Sequence, residues 1–284
     1  LATAVVRYTA AAITDRGRKR TSNEDAFGYS VEHGVYLVCD GMGGAAAGEI
    51  ASSLAVEEAL KLLTERIESI SSGKSASAPG SVETTLDLHT TNGHSTLPRL
   101  AEEAVLAANE AIHSRSQRNA KLSGMGTTLV GILAGPPDSH EADSRLWILN
   151  VGDSRCYRLR DGHIELCTQD HSLVEEQIRM GRMTRAEAAR SPLRNVITRA
   201  LGTQGSVTPD VIEAAVEPGD LFLLCSDGLT RELADETIEQ ILNTPVGGLN
   251  PRPASLDQLC ENLVQAANKA GGNDNITCII VRVD

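Results

Sequence analysis

The feature that most constrains this chain is a pattern that recurs from one end to the other. A short β-prone run ends in an aspartate that stands beside glycine or asparagine. The clearest copy is Val35-Tyr-Leu-Val-Cys39, followed by Asp40-Gly-Met-Gly-Gly44. Mostly apolar, β-prone residues in an unbroken run predict a buried strand. Glycines then permit a sharp turn. Ala47, Ile50, Ala51, Leu54, Ala55, Ala59 and Leu62 follow at helical spacing. Strand, acidic tip, glycine turn and helix together hold a carboxylate rigidly over a cleft. A lone Asp-Gly is an ordinary turn. Recurrence is what argues for a shared purpose.

The bulk of the sequence sets the class. At 284 residues it is long enough for one large domain or two small ones, and 41% hydrophobic with 23% charged residues marks a globular chain. The net charge of -12 disfavours nucleic acid and anionic membrane as partners. Six cysteines (Cys39, Cys156, Cys167, Cys225, Cys260, Cys278) are scattered and form no C-x-x-C pair. They read as reduced core thiols of a cytoplasmic protein rather than a disulfide or zinc framework. No apolar run approaches the roughly 20 residues of a membrane span. No signal-peptide pattern is visible, and the missing initial Met is what a trimmed piece of a longer chain would show.

Taken in order, the chain predicts a strand over 5–13 and then a polar loop through Arg16, Arg18, Lys19 and Arg20 to Asp25. A hairpin follows, 26–31 with 35–39, and then a long helix over 45–64. Residues 69–98 are rich in Ser, Thr, Gly and Ala and read as a mobile insertion. A second helix carries Leu100, Ala104, Ala107 and Ala111. Strands at 129–134, 146–151, 155–160 and 163–167 read as one antiparallel meander. It has turns at Pro136-Pro137-Asp138, Gly152-Asp153 and Asp161-Gly162. Ser172-x-x-Glu175 and Thr184-x-x-Glu187 are capping boxes opening short helices of a surface lobe, 172–201. A strand at 221–225, a helix at 235–242, a Pro/Gly-rich loop to Pro253, a helix capped by Ser255 and a last strand at 276–283 complete the chain. Strands in runs with a few long helices between them argue for an α+β architecture of antiparallel sheets covered by helices.

Asp25, Asp40, Asp153, Asp227 and Asp274 all fall at strand borders. If the sheets bring these ends together, several carboxylates share one cleft and cannot all ionise without cations. Oxygen ligands suit hard divalent ions, and the absence of Cys/His ligand pairs argues against zinc. A pair of such ions activates water for in-line attack on phosphorus.

A family resemblance covers nearly the whole chain. Its pieces are Asp15-x-Gly17-x-x-Arg20-x-x-Asn23-Glu24-Asp25, Asp40-Gly-Met-Gly-Gly44, Gly126-Thr127-Thr128, Asn150-Val-Gly-Asp153-Ser-Arg155, Asp170-His-Ser172, Ser226-Asp227-Gly228-Leu229-Thr230 and Gly272-x-Asp274-Asn275-Ile276-Thr277. In this order the set resembles the PPM, or PP2C-type, metal-dependent Ser/Thr protein phosphatases, in particular their bacterial branch. The resemblance implies a four-layer α-β-β-α sandwich of two antiparallel sheets, forming one catalytic domain over 1–284. It implies two Mn2+ or Mg2+ ions, with a weaker third in bacterial members. Asp40 is similar to the carboxylate that bridges both metals, and Gly41 to the residue whose carbonyl binds the first. Asp227 and Asp274 resemble ligands of the second, Glu24 and Asp25 the holders of metal-bound waters, and Asp153 the ligand of the third. Asn275 resembles a residue that orients the adjacent loop or binds a metal water. Arg20 resembles the arginine that grips substrate phosphate, a role its permanently charged guanidinium fork suits. Without the family, Arg20 belongs to a solvated basic run.

Two positions depart from the broader family. Met42 stands where many eukaryotic members place a histidine proposed as general acid, and a thioether has no proton to donate. The 69–98 insertion is also longer than expected. The lobe 172–201 takes the place of the bacterial flap, where Arg179, Arg182, Arg185, Arg190 and Arg194 would meet phosphopeptides or only solvate short helices. His171 reads as structural rather than as a proton shuttle. The expected activity is hydrolysis of phosphoserine and phosphothreonine in proteins by a monomer, opposing a bacterial Ser/Thr kinase. The competing readings are a silent phosphoprotein-binding relative and a metal-dependent nuclease. Retention of every acidic position counts against the first, and net negative charge against the second.

Overall fold

The structure is a computed structural model that describes residues 6–72, 96–135, 145–245 and 253–284. The chain forms β1 (Tyr8–Asp15), β2 (Asp25–Ser30), β3 (Val35–Met42), α1 (Ala45–Ser71) and α2 (Thr96–Arg118). It continues with β4 (Gly126–Thr127), β5 (Leu129–Ala134), β6 (Arg145–Val151), β7 (Arg155–Arg160), β8 (His163–Leu166), α3 (Leu173–Arg179) and α4 (Arg185–Ala188). It ends with β9 (Asp210–Ala215), β10 (Leu221–Cys225), α5 (Asp227–Thr230), α6 (Asp235–Leu242), α7 (Leu256–Ala270) and β11 (Ile276–Val283). One antiparallel sheet has the order β1-β11-β10-β7-β8; the other runs β2-β3-β5-β6-β9, with β4 attached to β3.

The period-two alternation of the strands builds the layers. In β3, Tyr36 and Val38 point into the space between the sheets, where they join Val130, Ile132, Ile148, Phe222, Leu224 and Ile279. The intervening Val35, Leu37 and Cys39 point outward onto the helices. There Ala51, Ala55 and Ala59 of α1 and Ala101, Ala104 and Ala108 of α2 supply small side chains that let the helices lie close to each other and to the sheet. On the opposite face, Leu259, Leu263 and Ala267 of α7 cover Leu223, Cys225, Cys278 and Ile280. The result is the expected α-β-β-α sandwich. Each fully buried Leu, Ile or Phe contributes about 1.5–3 kcal/mol, so three such layers hold the sheet ends in register.

The single meander over 129–167 is not what forms. β5 and β6 pair in one sheet, while β7 and β8 pair in the other. The chain changes sheet through Gly152-Asp153-Ser154. Gly152 sits at φ 113°, and a Cβ there would lie 2.6 Å from the Thr128 side chain, so this switch requires glycine. Alternation shows which side chains are buried but not which sheet buries them. β9 also lacked a sequence signal: Asp210 and Glu213 break its apolar character, and it is an edge strand on β6.

The first strand begins at Tyr8, and Val5 lies outside the described residues. Of the insertion read at 69–98, the ends are helical in α1 and α2, and 73–95 lies outside the described residues. So do the Pro136-Pro137-Asp138 turn and most of the loop before Pro253. All six cysteines are free thiols, five of them buried and Cys167 partly so. Among the described residues, no helix is long and apolar enough to cross a membrane.

Candidate active site

The site lies where one end of each sheet meets the other. Asp25 and Asp40 face each other in register across β2 and β3. Like charges directly opposite on a ladder repel, so these positions need a counter-charge. The Asp40 backbone is held on both sides. Its N–H donates to Thr128 Oγ1 (3.0 Å), and its carbonyl accepts from Thr127 Oγ1 (2.8 Å) and the Thr128 N–H (2.9 Å). Thr128 Oγ1 also bonds Ser154 Oγ at 2.7 Å, and these hydroxyls are buried. Gly126-Thr127-Thr128 therefore ties the Asp40 turn to the Asp153 turn, a role its motif alone did not reveal.

Gly41 fits where little else would. Its N–H donates to the Glu24 carbonyl (3.1 Å), which also accepts from Ser52 Oγ (2.6 Å). A Cβ on Gly41 would lie 2.3 Å from the Gly48 carbonyl oxygen and 2.5 Å from that of Glu24. Asn275 pins the loop that carries Arg20. Its Oδ1 accepts from the Glu24 N–H (2.9 Å), and its Nδ2 donates to the carbonyls of Arg16 (3.0 Å) and Ser22 (2.9 Å). Ser226 donates to Asp25 Oδ2 (2.8 Å) and accepts from the Thr277 N–H (3.0 Å), joining the two sheets at the cleft. Asp227 follows β10 and stands in the first turn of α5.

Burial dominates the electrostatics. It raises the Asp40 carboxyl well above its usual range, and the charges of Asp25, Asp227, Asp153 and Asp274 add to the effect. Asp25 is pushed up to about 6, mainly by burial, against the opposing hydroxyl bonds. Asp153, Asp227 and Glu24 are raised for the same first reason. Asp25 Oδ1, Asp153 Oδ1 and Asp227 Oδ1 are buried without any hydrogen-bond partner. Buried carboxylate oxygens without partners are costly. An all-oxygen set of this kind fits hard divalent cations such as Mg2+ or Mn2+. No group of three or more His, Cys, Asp or Glu side chains among the described residues stands ready-made as a cation cage; the acids are instead drawn to two arginines.

Arg20 donates from Nη2 to Asp274 Oδ2 (2.8 Å) while 47% of its side chain remains exposed. Arg231 is the residue that sequence reasoning missed. Its Nη2 contacts Asp227 Oδ2 and lies 3.6 Å from Asp153 Oδ2, and its Nη1 lies 3.5 Å from Asp274 Oδ2. The available signal was its position four residues after Asp227, one helical turn on, but the motif ends at Thr230. His171 is structural. Gly152 N–H donates to its Nδ1 (3.2 Å), so the neutral ring carries its proton on Nε2, which faces Asp210 Oδ2 at 3.0 Å. Burial, the largest cause, lowers its pKa. The lobe arginines Arg179, Arg182, Arg185, Arg190 and Arg194 are exposed, and α3 buries no side chain.

Residues 14–279 match the model of the protein phosphatase 2C family. The chain belongs to that family. Bacterial phosphatases are among its relatives. The protein phosphatase 2C chain is 34% identical to the serine/threonine phosphatase stp of Listeria monocytogenes, over 95% of this chain and 94% of that one. It is 36% identical to the serine/threonine protein phosphatase PstP of Mycobacterium tuberculosis, over 99% of this chain and 46% of that longer protein. The crystal structure of the Mycobacterium tuberculosis phosphatase PstP/Ppp superposes with a TM-score of 0.76 at 33% identity, covering 98% of this chain and 99% of that chain. A PstP catalytic domain solved with two manganese ions gives a TM-score of 0.74 at 32% identity, covering 98% and 99%. The sandwich described above is thus the protein phosphatase 2C fold, and the chain is a phosphatase of that family.

Proposed function

We propose that this chain hydrolyses phosphoserine and phosphothreonine in proteins, using a pair of divalent cations, Mn2+ or Mg2+, held in the acidic cleft. The observation that carries the reading is the set of buried, unpartnered oxygens on Asp25, Asp153 and Asp227 around Asp40, next to the half-exposed Arg20. Asp40 and the Gly41 carbonyl would hold the first ion, and Asp40, Asp227 and Asp274 the second. Glu24 and Asp25 would orient their waters, and Asp153 would hold any further ion. Such ions, when bound, supply an acidified water and positive charge opposite the phosphoryl oxygens. Arg20 binds the phosphate: Asp274 fixes one edge of its guanidinium, and the remaining N–H groups are free to grip two oxygens. Asn275 keeps that arginine's loop in place. Met42 has no proton to give, so the departing alkoxide takes its proton from water or another group.

The substrates are phosphoproteins made by a Ser/Thr kinase of the same cell, which this enzyme would oppose. The test is hydrolysis of a phosphothreonine peptide with Mn2+, with a chelator and with Asp40→Asn. Activity that requires Mn2+ and disappears in the variant is the expected result. Activity that survives both chelator and substitution would sink the reading.

A further inference from the structure

We propose that Arg231 is a tethered cation that competes with divalent ions for Asp153, Asp227 and Asp274, and so sets how tightly the weakest-held ion binds. The inference rests on the metal reading above. Three acids reach the guanidinium from three separate segments: the Gly152–Ser154 switch, the start of α5 and the loop before β11. Asp227 and Asp153 each retain a second, buried oxygen without a partner, so the arginine satisfies only part of the demand.

Its own anchoring makes Arg231 suitable for this. The Arg231 N–H caps α5 by donating to the Asp227 carbonyl (2.8 Å), and the side chain folds back one turn onto the same residue's carboxylate. The Arg231 side chain is 34% exposed, so it has an open side toward solvent. Asp153 and Asp227 are almost fully buried, and two like charges there are costly without a cation. A guanidinium supplies one charge and directional donors; a divalent ion supplies two and takes the lone pairs directly. Both carry positive charge and draw on the same carboxylates, so an ion held by Asp153, Asp227 or Asp274 binds against the repulsion of Arg231 and weakens its hold there.

The test compares the wild type with Arg231→Gln and Arg231→Lys. Mn2+ binding is read from the electron paramagnetic resonance of free Mn2+, and melting is followed with a chelator present. Arg231→Gln is expected to tighten the weakest Mn2+ affinity by about tenfold and to melt lower in chelator. Arg231→Lys, still a cation, should stay near wild type in both. Asp153→Asn added to Arg231→Gln should cancel the gain. Arg231→Ser carries the same expectation as Gln and guards against a folding defect peculiar to that variant. Equal Mn2+ binding by wild type and the neutral variants overturns the inference alone, as does equal tightening by Lys and Gln. If no protein binds Mn2+, the proposed function fails and this inference with it.

Discussion

The two corners of the acidic cleft meet the same charge problem in different ways. At the Asp40 corner, Asp25 and Asp40 oppose each other with no arginine among the described residues paired to either, and hydroxyl and amide bonds lock the backbone. At the Asp153–Asp227 corner, the protein brings its own cation in Arg231. The comparison shows that a buried carboxylate can be kept either by making its geometry unavoidable or by tethering a counter-charge beside it. Only the first leaves the full demand for an external ion.

The sharpest way to break this contrast is to neutralise one acid at each corner. Asp40→Asn is expected to lower kcat on a phosphothreonine peptide by about a thousandfold or more, in keeping with what ion-assisted hydrolysis supplies. Yet it should raise the melting temperature in chelator, because it removes a buried like charge. Asp153→Asn should show a smaller rise, since Arg231 offsets part of that charge. A rise of equal size at both corners would erase the distinction.

Thr128→Val probes the link between the corners. It deletes the hydroxyl that both Asp40 N–H and Ser154 use, at constant shape. Leaving these buried groups unmet should cost about 2 kcal/mol in urea unfolding, with a tenfold or so loss of kcat as the Asp40 turn loosens. An unchanged protein would mean that the corners are independent.

The smallest effect concerns His171, which supports the Asp153 turn through the Gly152 N–H and faces Asp210, Arg199 and Asp170. Burial holds its pKa below the usual value, so the unfolded chain takes up the proton first as pH falls. Its contribution is therefore present above about pH 6.5 and lost as pH drops through the folded value. Urea unfolding in chelator at pH 7.5 and 5.5 should show the advantage of wild type over His171→Gln shrinking at the lower pH, by no more than the ~1.4 kcal/mol that one pH unit allows. A constant advantage would show that the ring does not titrate there.

Local pattern made much of the molecule legible. The runs at Arg155–Arg160, Leu221–Cys225 and Ile276–Val283 carry their strands in composition and spacing, and Asp235–Leu242 carries its helix in the same way. The caps at Thr184 and Ser255 are also visible, because capping is a contact between residues three apart. β9 was not visible, since an edge strand with charged positions reads as loop until its partner β6 is known.

What the sequence determined by itself was the inventory: which runs become strands, β9 excepted, and that Asp25, Asp40, Asp153, Asp227 and Asp274 stand at strand borders. Those are short-range facts of hydropathy period and turn chemistry. Which sheet each strand joins, that Asp25 stands opposite Asp40, that Thr128 links Asp40 to Ser154 and that Arg231 lies among three acids were decided only by the tertiary structure. Each depends on pairing between segments up to the full length of the chain apart. That pairing is selected by the burial of whole sheet faces, which no local window contains.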